Sequence, residues 1–523
     1  MIPESARGET LARIFAAEPL VAAWFAGQGD GPSATADLAS CLSGAVTAQP
    51  APWFASAAAD AWCADLAADL AGEEDRKRVR DACAALRQGR ARVVVTGQQP
   101  GFLGGPLYTL HKVATAITLA RRLSAAGQPT IPLFWSGDDD DDLPEAVAPV
   151  AWLPGSDTPV RSEWAGSAGR RGRERRMIGR LSVAGGQANG TAWLRTARPV
   201  AADPDSPAAL WSEAEARGWT WGRLQRRALL RTFAGSALLV VSGDDPLLHE
   251  VAAPLYGRVL AARAELADAA RQRGRELQAQ GWHAQIGEPS LRRPLFLAEG
   301  DRRRPLGDAS PAGIGRLRPG VMLRSPVQDW LLQPAAVVVG PAEYAYLRQL
   351  TTVYRRLGIA RSPLVPRLFA WLLPRGFDRT MLAGHSSRRR PAEAAPAAAL
   401  ERWQDEATRR LAALLAELLP GPSSRVEVLA AGRVKRWRKG LETVVRNERA
   451  ARARDPEPGV PFWVLPDGQR QERRLAWGAA RAVWGPDLAR ALLEAADRHL
   501  DAGQEGAWCE WEIAVKKPES GHA

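Results

Sequence analysis

Three groups of residues in this chain have types and spacings suited to handling charge. In VVVTGQQPGFLGGPLYTLHK, residues 93–112, Gln98 and Gln99 are followed by Gly101, Gly104 and Gly105, then by Tyr108, His111 and Lys112. Glycines let a backbone turn sharply and approach a ligand closely, and the free N–H groups that open a helix attract an anion. Neither GxGxxG nor GxxxxGK[ST] is present, so the expected anion or nucleotide site has its own form. The second group is DDDDD at 138–142, with Glu145 behind it. Carboxylates there could hold Mg²⁺, pair with an ammonium or act as a base. Successive side chains point in different directions, so only about two of them can face one small ligand, and Asp138 and Asp139 are the candidates. The third group is Arg324, Gln328 and Asp329, then Glu343 and Tyr346, then Arg367 in LVPRLF. Arginine clamps a carboxylate and glutamate accepts from an amine, which suits an amino acid or a sugar acid.

These residues sit where strands end. Short β-branched or apolar runs at 92–96, 130–135, 237–245 and 335–347 each stop in a polar, glycine-containing turn and lead into a helical pattern. That plan predicts an open, doubly wound, mainly parallel α/β sheet, in which ligands collect beyond the carboxyl ends of strands. Residues 143–220 and 286–320 have little periodicity and read as two insertions into a core that spans 1–385 with a helical N-terminal segment. GRRGRERR at 169–176, within the first insertion, reads as a solvated loop. From 386 to 455 the pattern becomes two amphipathic arms. Leu400, Trp403, Ala407, Leu411, Leu414 and Leu418 lie on one, Pro420 to Ser424 break it, and Val434, Trp437, Leu441 and Val444 lie on the other. The stripes predict a helical hairpin whose arms cover each other or a second chain. Residues 456–523 return to globular composition.

Composition narrows the class. At 523 residues and 46% hydrophobic, the chain can bury a sizeable core. The net charge of +12 is nearly all arginine, without interleaved aromatics at its densest run, so nucleic acid is not the expected partner. Cys41, Cys63, Cys83 and Cys509 have no CxxC or metal-ligand spacing, which argues for a reducing cytoplasm and against a tightly bound metal. None of the four falls in a strand-end loop, so the chemistry is expected to proceed without them. No stretch has the apolar length of a membrane span.

Taken in order, VVVTGQQPGFLGGPLYTLHK, IPLFWSGDDDD, GWHAQI, LRSPVQDWLLQPAAVVVGPAEYAYLRQL, LVPR and LPDGQRQER resemble the bacillithiol biosynthesis cysteine-adding enzymes. The resemblance runs from about residue 91 to 500. It implies a Rossmann-like core, a C-terminal coiled-coil hairpin linked to a homodimer, and addition of L-cysteine to the amine of glucosaminyl malate. ATP or another nucleotide with Mg²⁺ is the implied activator. Under that reading His111, Lys112, Asp138 and Asp139 are the catalytic candidates, while Gln98, Gln99, Gly101, Gly104, Gly105 and Tyr108 surround the nucleotide or another anion. Arg324, Gln328, Asp329, Glu343, Tyr346 and Arg367 bind substrate. Asp140 stands where the family's acidic stretch typically has a histidine, and LFAWLLP departs from its pattern after LVPR. Two alternatives share these residues: a nucleotide-dependent ligase or transferase for another amine, and a non-catalytic relative that binds a ligand or nucleic acid.

Overall fold

A computed structural model describes residues 5–28, 33–43, 49–70, 72–153, 158–197, 206–306, 313–382, 397–418, 427–435, 437–438 and 460–517. The chain divides into two compact units, Met1–Phe377 with Gln471–Ala523, and Asp378–Arg470.

The first unit is built on a five-stranded sheet whose paired strands are all parallel. Its strands are β1 (Arg92–Gln98), β2 (Thr130–Ser136), β3 (Leu239–Ser242), β4 (Ala336–Val339) and β5 (Leu364–Pro366). The spatial order is β5-β4-β1-β2-β3. Parallel strands are covered on both faces, which is why Val93, Val94 and Val95, or Leu239, Val240 and Val241, read as unbroken apolar runs and are buried. From β1 the chain proceeds outward through β2 to β3. It then returns to the other side of β1 and proceeds through β4 to β5. The order therefore reverses between β1 and β4, and a crevice opens there beyond the strands' carboxyl ends.

Helix α1 (Tyr108–Ala125) follows β1 and is buried on nearly every side, because the sheet covers one face and α4 (Asp487–Gln504) another. Arg122 ties those two helices through Asp497 at 2.6 Å and Asp501 at 2.8 Å. Helix α2 (Val321–Leu332) precedes β4, and α3 (Pro341–Gln349) follows it, with proline at its first position, where the missing N–H costs nothing. A second sheet joins the ends of the unit. Ser5–Thr10 pairs antiparallel and Ala370–Pro374 parallel with Cys509–Val515.

The two segments that lack sequence periodicity are nevertheless structured. The first holds the hairpin Val150–Leu153 with Thr158–Arg161, then helices Ala188–Ala197 and Pro207–Ala216. The second contains a three-stranded antiparallel sheet of Leu295–Glu299, Arg302–Pro305 and Leu317–Pro319. The basic run 169–176 is not a loose loop. Arg171 lies over the Trp164 ring, Arg175 over Phe296, and Arg176 pairs with Asp301 at 2.6 Å. These partners fix side chains that carry no apolar signal of their own.

In the second unit, Ala397–Leu418 is one helix and 427–435 are helical. Arg438 donates to Gln404 Oε1 at 2.8 Å, while Leu414 and Trp437 are exposed. The expected break at Pro420 to Ser424, together with Leu441 and Val444, lies outside the described residues. Among the described residues no helix is long and apolar enough to cross a membrane.

The glycine turn after β1 is fixed by packing. Gly104 has φ +87°, and a Cβ there would overlap the Trp477 indole, whose Nε1 donates to the Gly104 carbonyl. Gly127 has a similar φ of +83° but faces open space. Gly127→Ala should therefore cost only the left-handed backbone penalty of about 1–2 kcal/mol. Gly104→Ala should cost about 2–4 kcal/mol, because overpacking is added to that penalty. Urea unfolding of the two variants checks the difference.

Candidate active site

The crevice between β1 and β4 holds a cavity of about 330 Å³. Gly97, Gln98 and Gln99 line it from the end of β1, Tyr108 and Lys112 from α1, Arg324 and Gln328 from α2, and Glu343 and Tyr346 from α3. Asp140, Glu145, Arg367 and Arg473 complete its charged lining.

Lys112 is its centre. The side chain is buried, and its ammonium donates to the Gly97 carbonyl at 2.8 Å and to Gln98 Oε1 at 3.2 Å, while Glu343 Oε2 lies 2.7 Å away. The same Glu343 oxygen accepts from the Gly340 N–H at 2.8 Å, which fixes the first turn of α3. Gln98 Nε2 donates to Gln99 Oε1 at 2.7 Å and to the Tyr108 hydroxyl at 3.1 Å. With its oxygen so engaged, Tyr108 donates its proton to Glu145 Oε1 at 3.1 Å. A hydrogen-bonded chain thus crosses the cleft floor from Glu343 to Glu145.

Other charges around the cleft are paired. Arg324 lies 2.9 Å from Asp140 Oδ2 and 3.6 Å from Asp139. Burial pushes the Asp140 carboxyl up, but Arg324 and Arg303 outweigh it and hold the pKa down at about 2. Arg367 lines the cleft, and its guanidinium lies over the Phe369 ring at 4.0 Å and makes a buried bidentate pair with Glu472 at 2.8 and 2.9 Å. That pairing neutralises the Arg367 charge at the wall of the cleft.

Several expected site residues lie outside the cleft. His111 is fully buried with Nδ1 3.7 Å from Glu472, because neighbours on a helix point about 100° apart and Lys112 takes the cleft side. Asp138 turns beneath the sheet end, where it accepts from Ser136 Oγ at 2.6 Å and from Ser242 Oγ. Asp139 is buried near Arg303 and Arg324. Asp329 accepts from the Tyr354 hydroxyl at 3.0 Å and from the Ser362 N–H at 3.2 Å, which anchors α2 to the core. Gly101, Gly104 and Gly105 do not cradle an anion. Gln187 and Trp477 cover the turn, and the Leu107 N–H at the helix start is taken by the Leu475 carbonyl at 2.8 Å. The turn therefore does not fit the phosphates of a nucleotide. Nor do any three His, Cys, Asp or Glu side chains among the described residues form a metal-binding group. None of the four cysteines lines the cleft.

Asp140, Glu145 and Arg473 are cleft residues that were not among the catalytic or binding candidates. Arg473 was in view, since it closes LPDGQRQER. Glu145 was in view behind the aspartate run, but nothing in its spacing sets it above Asp138 and Asp139.

Fold and site together define a Rossmann-like α/β protein with a charged cleft at its topological switch point. The pattern of "Bacillithiol biosynthesis BshC, N-terminal Rossmann-like domain" matches residues 64–368, more than half of the chain, and the chain belongs to that family. Three relatives are each named "Putative cysteine ligase BshC". That of Koribacter versatilis (strain Ellin345) is 32% identical over 307 residues, 55% of this chain and 56% of its own. That of Solibacter usitatus (strain Ellin6076) is 31% identical over 286 residues, 52% and 53% respectively. That of Heliobacterium modesticaldum (strain ATCC 51547 / Ice1) is 30% identical over 352 residues, 60% and 61%. The matches thus span just over half the length of these curated relatives.

Two measurements probe the charges around the site. Burial, opposed by the Ser136 and Ser242 hydroxyls, raises the Asp138 pKa to about 7 from 3.8. A raised acid binds more protons in the folded state than in the unfolded one, so its contribution to stability is complete below pH 4 and fades as pH rises toward 7. Relative to wild type, Asp138→Asn should gain stability steadily across that window, as read by denaturation at a series of pH values. Separately, Glu472→Gln leaves the Arg367 charge buried without its carboxylate. It should lower stability by about 3–5 kcal/mol, read from the denaturant midpoint.

Proposed function

We propose that this chain is an amide-forming cysteine ligase, which joins the carboxyl carbon of L-cysteine to the amine nitrogen of glucosaminyl malate in the last step of bacillithiol biosynthesis. The observation that carries this reading is the switch-point cleft of a BshC-family chain, where carboxylates, guanidinium groups and an ammonium line one cavity of small-molecule size. In this reading Glu343, held by Lys112 and the Gly340 N–H, receives the amine of the glucosaminyl substrate as a hydrogen-bond acceptor. Gln328 and Tyr346 stand on the same wall to contact the sugar acid. The C–N bond forms as an oxygen leaves the cysteine carboxyl carbon, and free carboxylate oxygen is a poor leaving group. A nucleoside triphosphate is the proposed source of activation on that chemical ground. The glycine turn has no part in it.

Incubation of the purified protein with L-cysteine, glucosaminyl malate and ATP–Mg²⁺, followed by mass spectrometry, should show a thiol product with the mass of the two substrates less one water. Nucleotide hydrolysis should accompany it in equal amount. Absence of product with any of the four common nucleoside triphosphates overturns the assignment. ATP-dependent product with a different amine, and none with glucosaminyl malate, moves the enzyme to another substrate.

A further inference from the structure

The cleft's charged lining consists of the carboxylates Asp140, Glu145 and Glu343 and the cations Lys112, Arg324, Arg367 and Arg473. Most of these neutralise one another. Lys112 is paired with Glu343, Arg324 with Asp140, and Arg367 with Glu472 behind the wall. Two charges of opposite sign are left over. Among the described residues no lysine or arginine is within ion-pair reach of Glu145, whose contact is the neutral hydroxyl of Tyr108. Likewise, among the described residues no carboxylate is within ion-pair reach of Arg473.

The two leftover groups line the same cavity as Tyr108. Both act on the Tyr108 hydroxyl. Burial and then the Glu145 charge push its pKa well above the ordinary phenol value, while Arg473 pulls the other way. Both side chains are exposed to the cleft rather than packed in the core. Tyr108 is itself fixed by Gln98, so it orients Glu145 through Oε1 and leaves Oε2 to a ligand. A carboxylate and a guanidinium that line one cavity with a tyrosine, yet do not pair with each other, complement a molecule carrying both charged groups on one carbon.

We infer that Glu145 and Arg473 form the subsite for an α-amino-acid zwitterion, with its ammonium on Glu145 and its carboxylate on Arg473. That the amino acid is cysteine rests on the ligase reading above. The placement has a chemical consequence for that reading. Two amines enter the site, and only one should become the nucleophile. An ammonium held by Glu145, which no cation neutralises, keeps its proton because a nearby opposite charge favours the charged form, whereas Glu343 is already neutralised by Lys112 and leaves its amine free to react. Arg324, already committed to Asp140, is not the amino-acid clamp.

Calorimetric titration of the full chain with three probes tests this: L-cysteine, 3-mercaptopropionate, which lacks the ammonium, and cysteamine, which lacks the carboxylate. Wild type should prefer cysteine to either analogue by about tenfold or more, the equivalent of one charge-assisted hydrogen bond. Glu145→Gln should lose the preference over 3-mercaptopropionate and keep that over cysteamine. Arg473→Gln should do the reverse. Unchanged melting temperatures would confirm that both variants are folded, as expected for exposed side chains. No preference in wild type, or a preference that survives the matching substitution, overturns the inference. Binding is read without turnover, so the two proposals can fail separately. A protein that makes no amide product yet shows the crossed pattern keeps the zwitterion subsite and loses the ligase assignment.

Discussion

The ammonium of Lys112 is buried between the two halves of the sheet, and the cleft is organised around keeping it there. Removing such a charge from water is costly unless its donors find acceptors. Here they find a backbone carbonyl at the end of β1, the side chain of Gln98 from the same strand, and the carboxylate of Glu343 on the first turn of α3. Those acceptors belong to the two strand ends on either side of the reversal in strand order. One side chain therefore fixes the width of the crevice that the topology opens. With its three donors engaged, Lys112 is a brace rather than a spare cation for an incoming anion.

The same economy runs through the surrounding charges. Arg367 and Glu472 are both almost fully buried, and their bidentate pair joins the segment after β5 to the short helix Gln471–Arg474. His111 lies against that pair from α1. Arg303, from the small antiparallel sheet of the second insertion, reaches the aspartate run, and Arg324 reaches it from α2. Charges that appear in the sequence as candidates for binding are thus largely used to hold six separate segments at one place. A cleft built this way is stiff, and the few groups without partners acquire meaning because the rest are spent.

Much of the architecture could be read locally. The β1–loop–α1–β2 unit announces itself by an apolar run, clustered glycines and a helical period within some 45 residues, and the structure has that unit. The strands near 239 and 336 are legible for the same reason. Long-range consequences were not. The Thr96 hydroxyl bonds the Val338 carbonyl at 2.9 Å, across 242 positions, and nothing in either segment names the other. The role of the glycine turn depends on Trp477, 373 positions from Gly104. Glycine permits a close approach without saying whether a ligand or an indole makes it. His111 and Lys112 show the same limit at the smallest scale. A helix separates adjacent residues by about 100°, so one could face the cleft, but the helix's rotation is set by partners elsewhere.

The aspartate run carries that point furthest, because its five residues are chemically identical and only direction distinguishes them. Asp138 turns down to the hydroxyls that end β2 and β3, and Asp139 is buried toward two arginines. Asp140 faces the cleft and takes Arg324, Asp141 takes Arg303, and Asp142 caps the short helix Leu143–Ala146 through the Glu145 N–H at 3.2 Å. Five carboxylates packed into one loop would repel one another strongly without these separate partners, so each partner also makes the next residue tolerable. The cap has a further effect. By fixing the backbone of Glu145, Asp142 helps place a carboxylate that lines the cleft without a cation, so a run that resembles a metal or ammonium site serves mainly to aim the residue that follows it.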